Sequence, residues 1–178
     1  TLSTGQTIAI AAGASSGTVD IAAPTDDVYI DASTVSRTIS SATGGNFESL
    51  TIDPAAANTT VTDDSDATTV TLSATPSVAE GSTIVYTATL TNAAVTPLTV
   101  TLSTGQTISI AAGATSGSVS IAAPGEDPHV DASVVSRTIS STSGGGFEAL
   151  TVNPAAATTT VTDTIDTTTL SISGSATV

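Results

Sequence analysis

Residues 98–110 read LTVTLSTGQTISI. Leu98, Val100 and Leu102 alternate with Thr99, Thr101 and Ser103, and past Gly105 the alternation resumes with Ile108 and Ile110. A period of two sends apolar side chains to one face of a strand and hydroxyls to the other. The pattern extends outward. Ile84, Tyr86, Ala88 and Leu90 oppose Val85, Thr87, Thr89 and Thr91, and Val119 with Ile121, then Leu150 with Val152, repeat the theme. Asn92, Gly113, Gly117, Pro124, Gly144 to Gly146 and Pro154 supply turn chemistry between the runs. No stretch carries a helical period. About seven short strands in about 100 residues predict an all-β, two-sheet sandwich.

A second level of order is a repeat. TLSTGQTI at 1–8 returns at 101–108, SRTIS at 36–40 at 136–140, GG-x-FE at 44–48 at 144–148, and TTVTD at 59–63 at 159–163. Every offset is 100, and 51 of the 78 aligned positions are identical. So long a period matches an independently folding domain rather than a solenoid coil. TTVTLSATPSV at 68–78 and TTTLSISGSATV at 167–178 read as successive first strands. The frame therefore predicts a partial repeat at 1–66 lacking its first strands, a complete repeat at 67–166, and the first strand of another at 167–178. An open sheet edge on the partial repeat invites another strand. The overhang at 167–178 is of the matching type, so strand exchange between molecules is expected beside contacts of neighbouring repeats.

Arg37 lies between Val35 and Ile39, and Arg137 between Val135 and Ile139, on the nominal inward face. Either a bulge resets the register there, or the stem packs while its head reaches an edge carboxylate. The outward face is rich in Thr and Ser, which suit an exposed strand.

Composition narrows the function. The 178 residues carry a net charge of -14, two Arg, no Lys, no Cys and four aromatic rings. Two basic residues cannot form the positive footprint of a nucleic-acid protein or bind an anionic membrane surface. No apolar run approaches the roughly 20 residues that span a bilayer, and no signal peptide is visible. One histidine, His129, is replaced by Tyr29 in the sister repeat, which with the absence of Cys leaves no nucleophile–base pair for an enzyme.

The acids are ordered. Twelve of the sixteen fall into two sets at equivalent places: Asp26, Asp27, Asp31, Asp63, Asp64 and Asp66, then Glu80, Glu126, Asp127, Asp131, Asp163 and Asp166. Each set joins a loop pair, a carboxylate shortly after it, and a cluster closing the last strand; in a sandwich these meet at one pole. Two like charges about 5 Å apart repel by roughly 3 kcal/mol at an effective dielectric near 20. A domain of marginal stability cannot hold several such pairs without compensation. With one Arg per repeat, the compensating charge is expected from a hard divalent ion. Calcium, which takes several oxygens in flexible geometry, fits better than magnesium or zinc. An ion in the run TDDSDATT at 62–69 would stiffen the joint between units.

The stretches VAEGSTIVYTATLTN, LTVTLSTGQTISIAAGATSGSVSIAAPGEDPHVDAS and GGGFEALTVNPAAATTTVTD, with the repeat length, resemble the extender repeats of large biofilm adhesins. These are proteins of pseudomonads exported by type I secretion and related to RTX adhesins. The resemblance implies tandem immunoglobulin-like repeats at the bacterial cell surface that bind calcium and project a distal tip for attachment. A more distant similarity to the Calx-β domain implies ligands at Glu80, Asp127, Asp131, Asp163 and Asp166, and at Asp27, Asp31, Asp63, Asp64 and Asp66. Thr164 stands where the first repeat has Asp64, and the GGxGxD nonapeptides of RTX proteins are absent. The competing expectation is an adhesin module that binds a carbohydrate or surface through its Thr/Ser face.

Overall fold

The computed structural model describes residues 1–174 and 176. Among these there is no helix, and the protein is all-β. The chain divides into two units, Thr1–Ser65 and Asp66–Val178.

Unit 1 has two strands, β1 (Ser33–Arg37) and β2 (Ala57–Val61), paired antiparallel. Unit 2 has β3 (Ala67–Ala74), β4 (Ser77–Ala79), β5 (Thr83–Leu90), β6 (Leu98–Leu102), β7 (Thr107–Ile110), β8 (Ser116–Ala122), β9 (Ser133–Arg137), β10 (Ile139–Gly144), β11 (Ala149–Val152) and β12 (Ala157–Thr162). They form three sheets, ordered β11-β3-β5-β8, β10-β6-β7 and β4-β12-β9.

The LTVTLSTGQTISI stretch becomes β6 and β7, with Leu98 opposite Ile110 and Val100 opposite Ile108. Between them the chain reverses at Gly105, whose φ of 89° is unstrained only without a Cβ. Each sheet contributes a buried face to a common core. Val70, Ile84, Tyr86, Ala88 and Leu90 come from the four-stranded sheet, and Leu98, Val100, Leu102, Ile108 and Ile110 from β6 and β7. Ala157 and Val161 come from β12. Gly117 lets β8 run close to β7, because a Cβ there would overlap the Ser109 carbonyl oxygen.

Two expected strands are each broken in two. The first strand ends at Ala74 and resumes at Ser77 in another sheet, since Pro76 between them has no N–H for a ladder. The chain likewise changes sheet between Arg137 and Ile139, so these residues share no strand. Arg137 does lie on the Val135 face, half-buried, and its Nη1 donates to the Ser136 carbonyl at 2.9 Å. The bulge comes later, between Ile139 and Ser141.

Unit 1 has nearly the same sequence as 101–165 but far less structure. Its counterparts of β7, β8 and β11, at 7–10, 16–22 and 49–52, are not strands. In unit 2 those three strands pair with β6, β5 and β3, and among the described residues their copies in unit 1 pair with no such strands. Only β1 and β2, counterparts of β9 and β12, keep each other as partners, with one further bridge at Leu2–Ile39. Backbone groups without a neighbour stay with water. The core is lost with the strands: Ile8 is 36% and Phe47 66% exposed, against 0% for Ile108 and 7% for Phe147. Residues 167–174, expected to open a following unit, also form no strand and are exposed; 175, 177 and 178 lie outside the described residues.

Candidate metal centre

The three-stranded sheet of unit 2 sets the site by register. β4 and β12 run parallel with Ala79 beside Thr162, so the next residues, Glu80 and Asp163, leave the sheet side by side. The bond from Glu80 N–H to the Thr162 carbonyl, 3.1 Å, extends the ladder one step. β9 runs antiparallel to β12, and its last pair is Ser133 with Val161. Two residues beyond that pair on either strand are Asp131 and Asp163. Oxygens of Glu80, Asp131 and Asp163 all lie within 4.8 Å of one another.

Glu80 is buried, Asp163 half-buried and Asp131 exposed. Buried Thr68 and Thr159 are satisfied, whereas the Tyr86 hydroxyl and the Nε of Arg37 and of Arg137 are buried without a hydrogen-bond partner. Thr68 accepts from Asn92 Nδ2 at 3.1 Å, and Thr159 Oγ1 donates to the Thr75 carbonyl at 2.7 Å. Glu80 Oε2 and Asp163 Oδ1 are also buried without a hydrogen-bond partner, and both belong to this one carboxylate cluster. Buried polar atoms left so are uncommon and point to a missing partner. The Glu80 carboxyl is pushed up from 4.5 to about 7, first by its hydrogen bond with Asp131, then by desolvation and the charges of Asp131, Asp163 and Glu126. Two carboxyls can hydrogen-bond only while one holds a proton, so the cluster demands a cation or a proton.

The loop carrying Glu126 closes over the β4–β5 turn through a Gly81 N–H bond to the Pro124 carbonyl, 2.8 Å. Glu126 thus adds charge without joining the three converging carboxylates. Asp127 accepts the His129 N–H at 2.8 Å, a local turn contact. Asp166 is exposed three residues past Asp163.

In unit 1, Asp26, Asp31 and Asp63 line a small pocket of about 80 Å³. Asp31 N–H donates to Asp63 Oδ2 at 3.2 Å, and Asp27 accepts the Tyr29 N–H at 2.8 Å. The Asp31 carboxyl is pushed above its ordinary range, first by desolvation and then by the charges of Asp27 and Asp63 and a hydrogen bond with Asp63. Asp64 and Asp66 are exposed.

Glu148 carries a contact that charge clustering did not signal: within unit 2 its Oε2 accepts the Asp66 N–H at 2.6 Å. The signal available was the repetition of GG-x-FE. Asp53 takes no part in either cluster. It accepts the Ala55 N–H at 2.9 Å, and neutral Asn153 does the same for Ala155 at 2.9 Å, so the role is a turn. Gly13 to Gly17 (GASSG) has the G-x-S-x-G spacing of a nucleophile elbow, but neither strand nor helix flanks it.

The donor set is all hard oxygen, from three elements, with two orphaned buried atoms. Glu80, Asp131 and Asp163 could together hold a divalent cation of the calcium type, which takes such oxygens. A comparison with curated proteins finds no match. The LapA domain model matches residues 1–64 and again 66–164. The chain therefore belongs to the LapA domain family and is related to LapA-type biofilm adhesins.

Proposed function

We propose that this chain is a structural extender module of a bacterial cell-surface adhesin, held rigid by calcium and serving to project a distal binding tip for attachment and biofilm formation. The family match supports an adhesin-related module outside the cell. The buried Glu80 carboxyl carries the calcium reading, since its Oε2 has no partner and its neighbours are Asp131 and Asp163. A bound ion would neutralise the three carboxylates and tie the β4–β5 turn, the loop before β9 and the end of β12 together. Asp63, Asp64 and Asp66 load the connecting segment with charge, and ions drawn there would relieve its self-repulsion. Near-copies in tandem suit length and stiffness rather than a single recognition site.

Thermal unfolding of the chain in chelator, in millimolar calcium and in magnesium tests this reading. An ion at about a hundred times its Kd adds about 2.7 kcal/mol to the folded state. A calcium-specific rise in Tm of unit 2 supports the proposal; no rise, or an equal one with magnesium, refutes it. Binding through the Thr/Ser face has weaker support. Thr71 Oγ1 and Ser73 Oγ, on the outward side of β3, donate to the carbonyls of Thr89 and Thr87, both at 3.3 Å, which leaves them less available to a ligand.

A further inference from the structure

The loop from 123 to 132 joins β8 to β9, forms no strand and is mostly exposed. It reads APGEDPHVDA, and at its middle Asp127 is bonded to Pro128. Asp127 is half-buried, and its Oδ1 accepts the His129 N–H at 2.8 Å. That hydrogen bond closes a ring containing the Asp127–Pro128 peptide bond, so the carboxyl is folded over its own main-chain carbonyl. A carboxyl in that place is a nucleophile held beside an acyl carbon. Proline makes the bond a weak one. Its tertiary amide nitrogen takes up a proton more readily than an ordinary peptide nitrogen and leaves as a secondary amine. Unit 1 keeps the turn and lacks the leaving group: Asp27 Oδ1 accepts the Tyr29 N–H, also at 2.8 Å, across Val28. Asp53–Pro54 has both parts, with Asp53 Oδ1 accepting the Ala55 N–H at 2.9 Å. Its copy, Asn153–Pro154, keeps the turn without the carboxyl.

We propose that the chain cuts itself at Asp127–Pro128. An oxygen of the Asp127 carboxyl adds to the Asp127 main-chain carbonyl carbon, the C–N bond to Pro128 breaks, and the carboxyl proton leaves on the prolyl nitrogen. The products are a five-membered cyclic anhydride at Asp127 and a secondary amine at Pro128. One water then opens the anhydride to give a C-terminal Asp127 with both carboxyl groups free; nothing is oxidised or reduced. The same step is open to Asp53–Pro54. Unit 2 survives the cut. The piece 1–127 holds β3 to β8 and the piece 128–178 holds β9 to β12, yet β10 pairs with β6, β11 with β3 and β12 with β4. Three ladders therefore cross the break. In an extender, a consequence that rests on the function proposed above, the nick turns a covalent link into one that parts when the domain opens.

Incubation of the full chain with chelator in dilute acid, at the lowest pH where circular dichroism still shows folded strands, reads the outcome by intact mass. Pieces ending at Asp127 and beginning at Pro128 are expected, at a rate about tenfold or more above that of the same chain in urea at that pH. Equal rates would mean that only the general lability of Asp–Pro bonds is at work, and would overturn the proposal. Pro128→Val copies the residue unit 1 carries in the same turn. It is expected to abolish this cut and to leave the cut at Asp53–Pro54 as a control. A Pro128→Val chain still cut after Asp127, or a wild type cut only after Asp53, also overturns the proposal. Asp53→Asn leaves Asp127–Pro128 as the one Asp–Pro bond in the chain. Nicked Asp53→Asn protein is expected to keep its uncut size on gel filtration and to separate in urea; pieces that part without urea would overturn the held nick. No readout uses calcium, so a failure here leaves the metal centre standing.

Discussion

Asp131 and Asp163 lie opposite each other, each two residues beyond the last paired residues of β9 and β12, Ser133 and Val161. Antiparallel register brings them together across thirty-two residues of chain, and the parallel Ala79–Thr162 pair adds Glu80 from the far side of β12. Three carboxylates converge at one sheet end because three strands end there, which is a condition the backbone imposes whether or not an ion is present.

Replacing Glu80 by Gln keeps the shape and removes the charge. In chelator, Glu80→Gln is expected to raise the Tm of unit 2, because the repulsion from Asp131 and Asp163 goes. In calcium, the variant is expected to lose most of the ion-dependent gain. Differential scanning calorimetry of both proteins in both buffers checks the crossover. A variant that gains as much from calcium as the wild type would remove Glu80 from the site.

The pH profile separates proton from ion. A carboxyl whose folded pKa lies above its unfolded value binds its proton more tightly when folded. Glu80, raised from 4.5 to about 7, therefore favours the folded state below pH 4.5 and loses that contribution as pH climbs to about 7. In chelator, unit 2 is expected to weaken across this window. In calcium the slope reverses, because deprotonation then frees the carboxylate for the metal. Urea denaturation at half-unit pH steps reads both slopes, and identical profiles with and without calcium would contradict the assignment.

The same isoleucine in the same local sequence should matter in one unit and not in the other. Ile108 is fully buried, and Ile108→Ala is expected to cost about 2–5 kcal/mol. Ile8 is 36% exposed in an open hollow, and Ile8→Ala is expected to stay within about 0.5 kcal/mol. Denaturant titrations of the two variants against the wild type compare the two.

Amide exchange should follow ladder partners rather than sequence. Residues 107–110 and 116–122 are paired strands and are expected to exchange only through opening of unit 2. Their copies at 7–10 and 16–22 form no strand and are expected to exchange at nearly free-peptide rates. Residues 33–37 and 57–61 are expected to fall between, as a two-stranded ladder of limited stability. Equal protection of 16–22 and 116–122 would show that unit 1 completes its sheet by other means.

Alternation by itself determined which side chains of Ile84 to Leu90 and Leu98 to Leu102 face inward, because a strand has only two faces and burial selects the apolar one. Sequence equally determined that acids recur at matched places, since five pairs, Asp26 with Glu126, Asp27 with Asp127, Asp31 with Asp131, Asp63 with Asp163 and Asp66 with Asp166, sit at one offset. It did not determine which of the twelve converge. That choice rests on β4 pairing parallel with β12, a contact between residues 83 apart that Pro76 makes possible by ending β3 and sending the chain to another sheet. Nor could local pattern tell Ile8 from Ile108, whose neighbours in sequence are nearly the same. A strand exists only where another strand takes its N–H and carbonyl groups, so the partners present in the fold decided that unit 2 closes its core and unit 1 leaves its own open.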